Sequence, residues 1–192
     1  MKLIDSKRFG DERGWFAETY HQARYAEAGV SVAFCQDNHA FSRQALVLRG
    51  LHFQRPPHAQ AKLVQCVRGR IWDVGVDVRL GSPSFGRWQA AELSAENGLQ
   101  MFVPAGFAHG YLTLEPNSEV AFKVSDYYAP ECEGGLAWND PDAAIDWPLH
   151  GEMPILSDKD QILPCLADLE SPFGYEGTSL TSLRREPWGS NQ

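Results

Sequence analysis

Apolar and polar residues alternate through the middle of the chain. Trp72, Val74, Val76 and Val78 are interleaved with Asp73, Gly75, Asp77 and Arg79. Successive side chains of a strand point to opposite faces, so this period of two predicts a strand with one buried face. The apolar run from Leu63 to Arg68 reaches it across a turn at Gly69, which predicts a hairpin. Further strands are predicted at residues 45–48, 88–93, 99–103, 111–114 and 120–125. Glycines and prolines punctuate them at short intervals, among them Gly50, Pro56, Pro57, Gly81, Pro83, Gly86, Pro104, Gly106, Gly110 and Pro116. Many short strands at this spacing predict a mainly β sandwich or jelly roll. One helix is predicted over residues 17–28, where Tyr20, Ala23, Arg24 and Glu27 fall at helical spacing and Gly29 can end it. After Ala167 the pattern decays into a polar stretch rich in Gly, Ser and Pro. The expected organisation is one domain over residues 1–167 and a tail over 168–192, either mobile or docked through Tyr175 and Trp188.

Composition adds constraints. The chain has 192 residues, of which 43% are hydrophobic and 22% charged, enough for a substantial core. Its formal net charge of -8 argues against a protein that grips nucleic acid through general electrostatics, while a few local cations can still hold a small anion. The cysteines, Cys35, Cys66, Cys132 and Cys165, form no CxxC pair, so a zinc cage is not expected, and reduced thiols are. No run approaches membrane-spanning length, and the opening residues lack the apolar stretch of a signal peptide. A cytoplasmic protein is expected.

Histidine exchanges protons near neutral pH, which makes it the first candidate for chemistry. His52 follows Arg49 and Gly50 at the start of a β-rich stretch; pointing inward, these would put a cation and a base in one pocket. The plain alternative is a hydrogen-bonded strand histidine. His109 ends Pro104-Ala105-Gly106-Phe107-Ala108-His109, a PxGxxH spacing that resembles the second cupin signature, whose histidine points into a barrel. Metal-binding cupins add an HxH…E set on an earlier hairpin. Here that region reads His52-Phe53-Gln54, with Lys62 further on and no carboxylate at suitable spacing. A divalent ion needs three or four converging ligands, so no metal is expected. Lys62 begins an apolar strand and points either to solvent or into the barrel mouth, where it would hold a phosphate or polarise an oxyanion. Arg13 and Arg49 are further anion clamps. Tyr127 and Tyr128 suit stacking on a base, acid chemistry or simple packing. Asp158 and Asp160 read locally as a solvated turn.

With these residues assembled, the chain resembles the dTDP-4-dehydrorhamnose 3,5-epimerase family. The matching stretches include FGDERGWFAETY, QDNHAFSRQALVLRGLHFQ, PPHAQAKLVQCVRGRIWDVGVD, LSAENGLQMFVPAGFAHGY, DYYAPECEGGLAWNDPDAAIDWPL and LSDKD, in family order from Phe9 to Asp160. The resemblance implies a cupin-type jelly roll working as a homodimer without a cofactor, on a dTDP-linked 4-keto-6-deoxy sugar. It assigns His52 as catalytic base, Asp160 as the carboxylate that orients it, and Lys62 as the partner of the keto oxygen. Arg49 and His109 would line the same pocket. Phe9, Arg13 and Glu18 would contact the nucleotide, partly from the neighbouring subunit, with Gln36, Asn38 and Tyr127 as further substrate contacts. A 4-keto group acidifies the hydrogens on carbons 3 and 5, because either anion delocalises into an enolate that a cation can stabilise.

One position departs from the family. Inversion needs a proton on the face opposite the base, and the family's tyrosine for that task is replaced by Phe122, whose phenyl ring has none to give. Either another acid substitutes (Tyr127, Tyr128 or a water) and both carbons are inverted, or carbon 5 is impaired and the chain is chiefly a 3-epimerase. Competing readings are a metal-dependent cupin isomerase or oxygenase, a silent sugar-nucleotide binding cupin, and a keto-isomerase moving the carbonyl between carbons 3 and 4.

Overall fold

The structure, a computed structural model, describes residues 1–177 and 180–187. In chain order its elements are β1 (Lys2–Asp5), β2 (Arg8–Asp11), β3 (Gly14–Ala17), α1 (Gln22–Glu27), β4 (Gln36–Ser42), β5 (Leu48–Gln54), β6 (Lys62–Arg68), β7 (Arg70–Asp77), β8 (Trp88–Ser94), β9 (Leu99–Val103), β10 (Phe107–Thr113), β11 (Ser118–Val124), β12 (Glu133–Gly135), α2 (Asp158–Gln161) and β13 (Arg185–Pro187). A six-stranded sheet in the order β13-β1-β9-β6-β11-β4 faces a five-stranded sheet in the order β12-β5-β10-β7-β8. Among the described residues, strands β2 and β3 pair only with each other. The hairpin predicted across Gly69 is not formed: the turn, with φ +72, carries the chain from one sheet to the other, so β6 pairs with β9 and β11, β7 with β8 and β10, and the two strands face each other across the interior. The result is a jelly-roll sandwich, as expected.

Three apolar clusters follow from this layering. Val64, Cys66, Met101, Val103 and Val120 of the larger sheet meet Ile71, Leu93, Phe107 and Tyr111 of the smaller one between the sheets. Leu51, Phe53, Val74, Val76 and Leu112 line the outer face of the smaller sheet, under Leu136, Trp147, Leu166 and Phe173. Tyr25 of α1 and Val30 cover Ile4, Leu63 and Phe102 on the outer face of the larger sheet. Burying such side chains contributes about 1.5–3 kcal/mol each before entropic costs.

Several local expectations are corrected. On β7 both faces are buried, because one packs under the covering segment and the other faces the interior: Asp73 and Asp77 are each 0% exposed. Asp77 tolerates this because Arg79, Ser82 and Ser84 all donate to its carboxylate. The strand predicted at 45–48 begins only at Leu48 and runs to Gln54, and the last strands also shift, to Phe107–Thr113 and Ser118–Val124. The predicted helix loses its first turn and a half to β3 and an extended link, leaving Gln22–Glu27.

Beyond residue 167 the described chain is packed. The Phe173 ring meets Phe53 edge-on at 5.5 Å between centroids. The Leu80 N–H donates to the Phe173 carbonyl at 2.8 Å, and the Tyr175 N–H to the Leu80 carbonyl at 3.0 Å. Leu180 and Leu183 lean on the inter-sheet cluster, and β13 lies parallel to β1. Trp188 lies outside the described residues. Phe173→Ala is expected to lower the unfolding free energy by roughly 3 kcal/mol, read as a fall in the urea midpoint. An unchanged midpoint would mean that this segment contributes no packing.

Candidate active site

An uninterrupted strand sends residues three apart to opposite faces. On β5, however, Arg49 pairs with Tyr111 and His52 with His109, with a register shift between the pairs. The irregularity sits at Gly50, whose φ is +103; a Cβ there would lie 2.6 Å from the His109 carbonyl oxygen. Glycine is therefore required, and it lets Arg49 and His52 both serve the space between the sheets.

The His52 Nε2 lies 2.5 Å from the Oδ1 of Asp160. Asp160 is delivered by the single turn of α2, where the Ser157 hydroxyl accepts from the Asp160 N–H. Asp158 is exposed as the local pattern suggests, but Asp160 is 4% exposed. Burial pushes its carboxyl upward, yet hydrogen bonds from His52, Ser157 and the Gly50 N–H outweigh this and hold it below the usual carboxylate range. An ionised carboxylate thus faces the imidazole.

Lys62, at the head of β6, turns inward: its Nζ donates to the His52 carbonyl at 3.2 Å. Burial pulls its pKa down to about 8, partly offset by Asp73. His109 is buried, its Nε2 at 2.8 Å from the Asp73 Oδ1, while the other carboxylate oxygen of Asp73 is buried with no partner among the described residues. Burial pushes the Asp73 carboxyl upward, countered by His109 and Lys62. Asp73 went unassigned from sequence, although a carboxylate among alternating valines was the available signal. Tyr111, two residues past His109 and 5% exposed, was missed as well; Tyr reads as an ordinary strand residue.

Arg49 spans the mouth, donating to the Ser42 hydroxyl at 3.3 Å and the Phe41 carbonyl at 3.1 Å. On β4, Gln36 and Asn38 are half-buried between exposed neighbours; the Gln36 amide donates to Asn38 and accepts the Tyr128 N–H. Phe122 sits opposite Asn38 and Val64 and packs on the inter-sheet cluster. The structure therefore gathers His52, Asp160, Lys62, Arg49, His109, Phe122, Gln36 and Asn38 around one interior. It does not bring in the others. Tyr127 is 65% exposed. Phe9 and Arg13 lie on the separate β2–β3 hairpin, with Arg13 paired to Asp11 at 2.5 Å, and Glu18 pairs with Arg24 at 3.1 Å.

A sequence profile described as dTDP-4-dehydrorhamnose 3,5-epimerase matches residues 1–168. The chain belongs to this family. It is 46% identical over 175 residues to the dTDP-4-dehydrorhamnose 3,5-epimerase of Sinorhizobium fredii, covering 91% of this chain and 89% of that protein. To the Salmonella typhimurium enzyme it is 48% identical over 165 residues, covering 85% and 89%. The crystal structure of dTDP-6-deoxy-D-glucose-3,5-epimerase from Legionella pneumophila, in complex with dTDP-4-keto-L-rhamnose, superposes with a TM-score of 0.86 at 44% identity, covering 91% of this chain and 93% of that one. The cupin-type fold is common to the family, and the profile ends where the packed C-terminal segment begins. Among the described residues no three His, Cys, Asp or Glu side chains converge as metal ligands, and no helix is long and apolar enough to cross a membrane.

The electrostatics of this epimerase-family site carry a direct test. A carbon-13 NMR titration of dimethylated lysines should show Lys62 titrating near 8. Asp73→Asn should move it lower still, because the negative charge that favours the ammonium is gone. An upward shift would mean that the two groups do not interact as described.

Proposed function

We propose that the protein epimerises a dTDP-linked 4-keto-6-deoxyhexose, inverting the carbons on either side of the keto group. The observation that carries this reading is the 2.5 Å His52–Asp160 contact inside the sandwich, with the Lys62 ammonium held against the same strand. His52 takes the proton next to the keto group. Asp160 fixes the ring and stabilises the imidazolium that forms. Lys62 faces oxygen 4, where the enolate charge collects, in an interior that strengthens the interaction by excluding water. The carbonyl re-forms as a proton arrives on the opposite face. Every step is a proton transfer, so none calls for a cofactor or metal. The names of the relatives, which act on dTDP-4-dehydrorhamnose, support the substrate class.

Arg49, His109, Gln36 and Asn38 line the sugar pocket. Phe9, Arg13 and Glu18 serve the nucleotide of a second copy in a homodimer. Support comes from the projecting hairpin, which leaves Phe9 49%, Trp15 58% and Phe16 70% exposed, more aromatic surface than a self-contained hairpin tolerates. Tyr127 borders the nucleotide. The four free cysteines fit a reducing, cytoplasmic setting. A second reading, inversion at carbon 3 alone, is favoured by one residue, Phe122.

Proton NMR of dTDP-4-keto-6-deoxyglucose in heavy water tests the main reading. Wild-type protein should exchange and invert the hydrogens beside the keto group. His52→Ala should reduce exchange at both carbons by at least about 100-fold with the fold intact by circular dichroism. Substantial residual exchange would remove His52 as the base. Shared sites are tested by mixing His52→Ala and Arg13→Ala subunits. Each variant alone is weak, and random two-fold dimers should recover about a quarter of wild-type activity at low substrate. No recovery would place Arg13 in its own subunit's site or outside any site.

A further inference from the structure

Phe122 leaves an inversion without its proton donor, and the structure narrows the replacements. The inward residues of β11 are Val120, Phe122 and Val124, which hold no acid. Tyr127 and Tyr128 are 65% and 56% exposed, so their rings turn to solvent rather than into the sandwich. Tyr111 is different. It lies on β10 at 5% exposure, in the same inter-sheet cluster on which Phe122 packs. Its hydroxyl makes no hydrogen bond among the described residues and is not one of the fully buried unpaired polar atoms, so it keeps access to the space between the sheets. A hydroxyl with open access and no protein partner is available to bond a ligand.

Resting on the epimerase reading above, we infer that Tyr111 donates the proton that completes inversion at carbon 5. Register supplies the geometry. His52 pairs with His109, and Tyr111 stands two residues further along β10, beside Arg49 on one neighbouring strand and Asp73 on the other. The rings of His109 and Tyr111 are 6.5 Å apart between centroids. Residues two apart on a strand are separated by about 6.8 Å, the room a sugar ring needs when it touches groups on both faces at about 3.5 Å. A ring entering edge-on between these layers has His52 on one face and Tyr111 on the other.

The step balances without an outside reagent. The enolate electron pair takes the proton from the Tyr111 hydroxyl; the C–H bond forms, the O–H bond breaks and the carbonyl returns at carbon 4. The phenolate is left beside the Arg49 guanidinium. His52 releases its captured proton to solvent, and Tyr111 regains one from water. Burial pushes the Tyr111 phenol up to about 12, with Asp73 adding and Arg49 opposing, so the donor stays protonated across the working pH range.

The test is Tyr111→Phe in heavy water with dTDP-4-keto-6-deoxyglucose, following deuterium uptake and configuration at carbon 5 separately. Wild-type protein should invert carbon 5 with uptake of deuterium. In the variant His52 still removes and returns protons on its own face, so exchange continues while inversion falls at least about 100-fold. The double variant Tyr111→Phe, Phe122→Tyr places a phenol on the facing sheet and should recover inversion. Inversion within about threefold of wild type in Tyr111→Phe overturns the assignment, as does loss of exchange and inversion together that the double variant does not recover. Wild-type protein that exchanges both carbons but inverts only carbon 3 also overturns it and leaves the epimerase reading standing. Wild-type protein that does neither overturns the epimerase reading itself, and the Tyr111 assignment with it.

Discussion

The contact between His52 and Asp160 joins a strand to a turn 108 residues further along the chain. A carboxylate at 4% exposure is tolerable only when its charge is matched, and here an imidazole, the Ser157 hydroxyl and the Gly50 N–H share that work. The contact constrains the fold as well as the chemistry. It requires β5 to kink at Gly50, and it requires the covering segment to return across the smaller sheet. The short strand β12, paired to β5 from Glu133 to Gly135, begins that return. Trp147, Leu166 and Phe173 hold the segment down over Leu51 and Phe53. Much of the apolar core on this side therefore supports one hydrogen-bonded pair.

The interior itself is uneven. The smaller sheet contributes His52, His109, Asp73, Tyr111 and Arg49, whereas the inward positions of β6, β9 and β11 are mostly aliphatic, with Lys62 the exception at the rim. A cation at the edge of a low-dielectric space interacts strongly with charge that develops nearby. The depressed pKa of Lys62 and the raised carboxyl of Asp73 are two consequences of the same burial. Charge that develops in such a space meets groups already in place.

The apolar run of β6, the alternating residues of β7, the turn at Gly69 and the spacing of glycines and prolines were enough to read a mainly β sandwich, because strand period and turn chemistry are local properties of a chain. The family's collinear stretches extended that reading to His52, Lys62, His109 and Asp160. Asp160 looked like a solvated turn from its neighbours alone, since nothing near it in sequence announces an imidazole 108 residues away. Asp73 and Tyr111 were hidden for a related reason. Period two shows which residues share a face, but only the second sheet, laid over that face, decides that it is an interior. Tertiary structure alone determined that both faces of β7 are buried, that Arg49 and His52 serve the same side of β5, and that the described residues after 167 are packed. Each depends on pairing between distant strands, and the energy of those pairings is absent from any local window of residues.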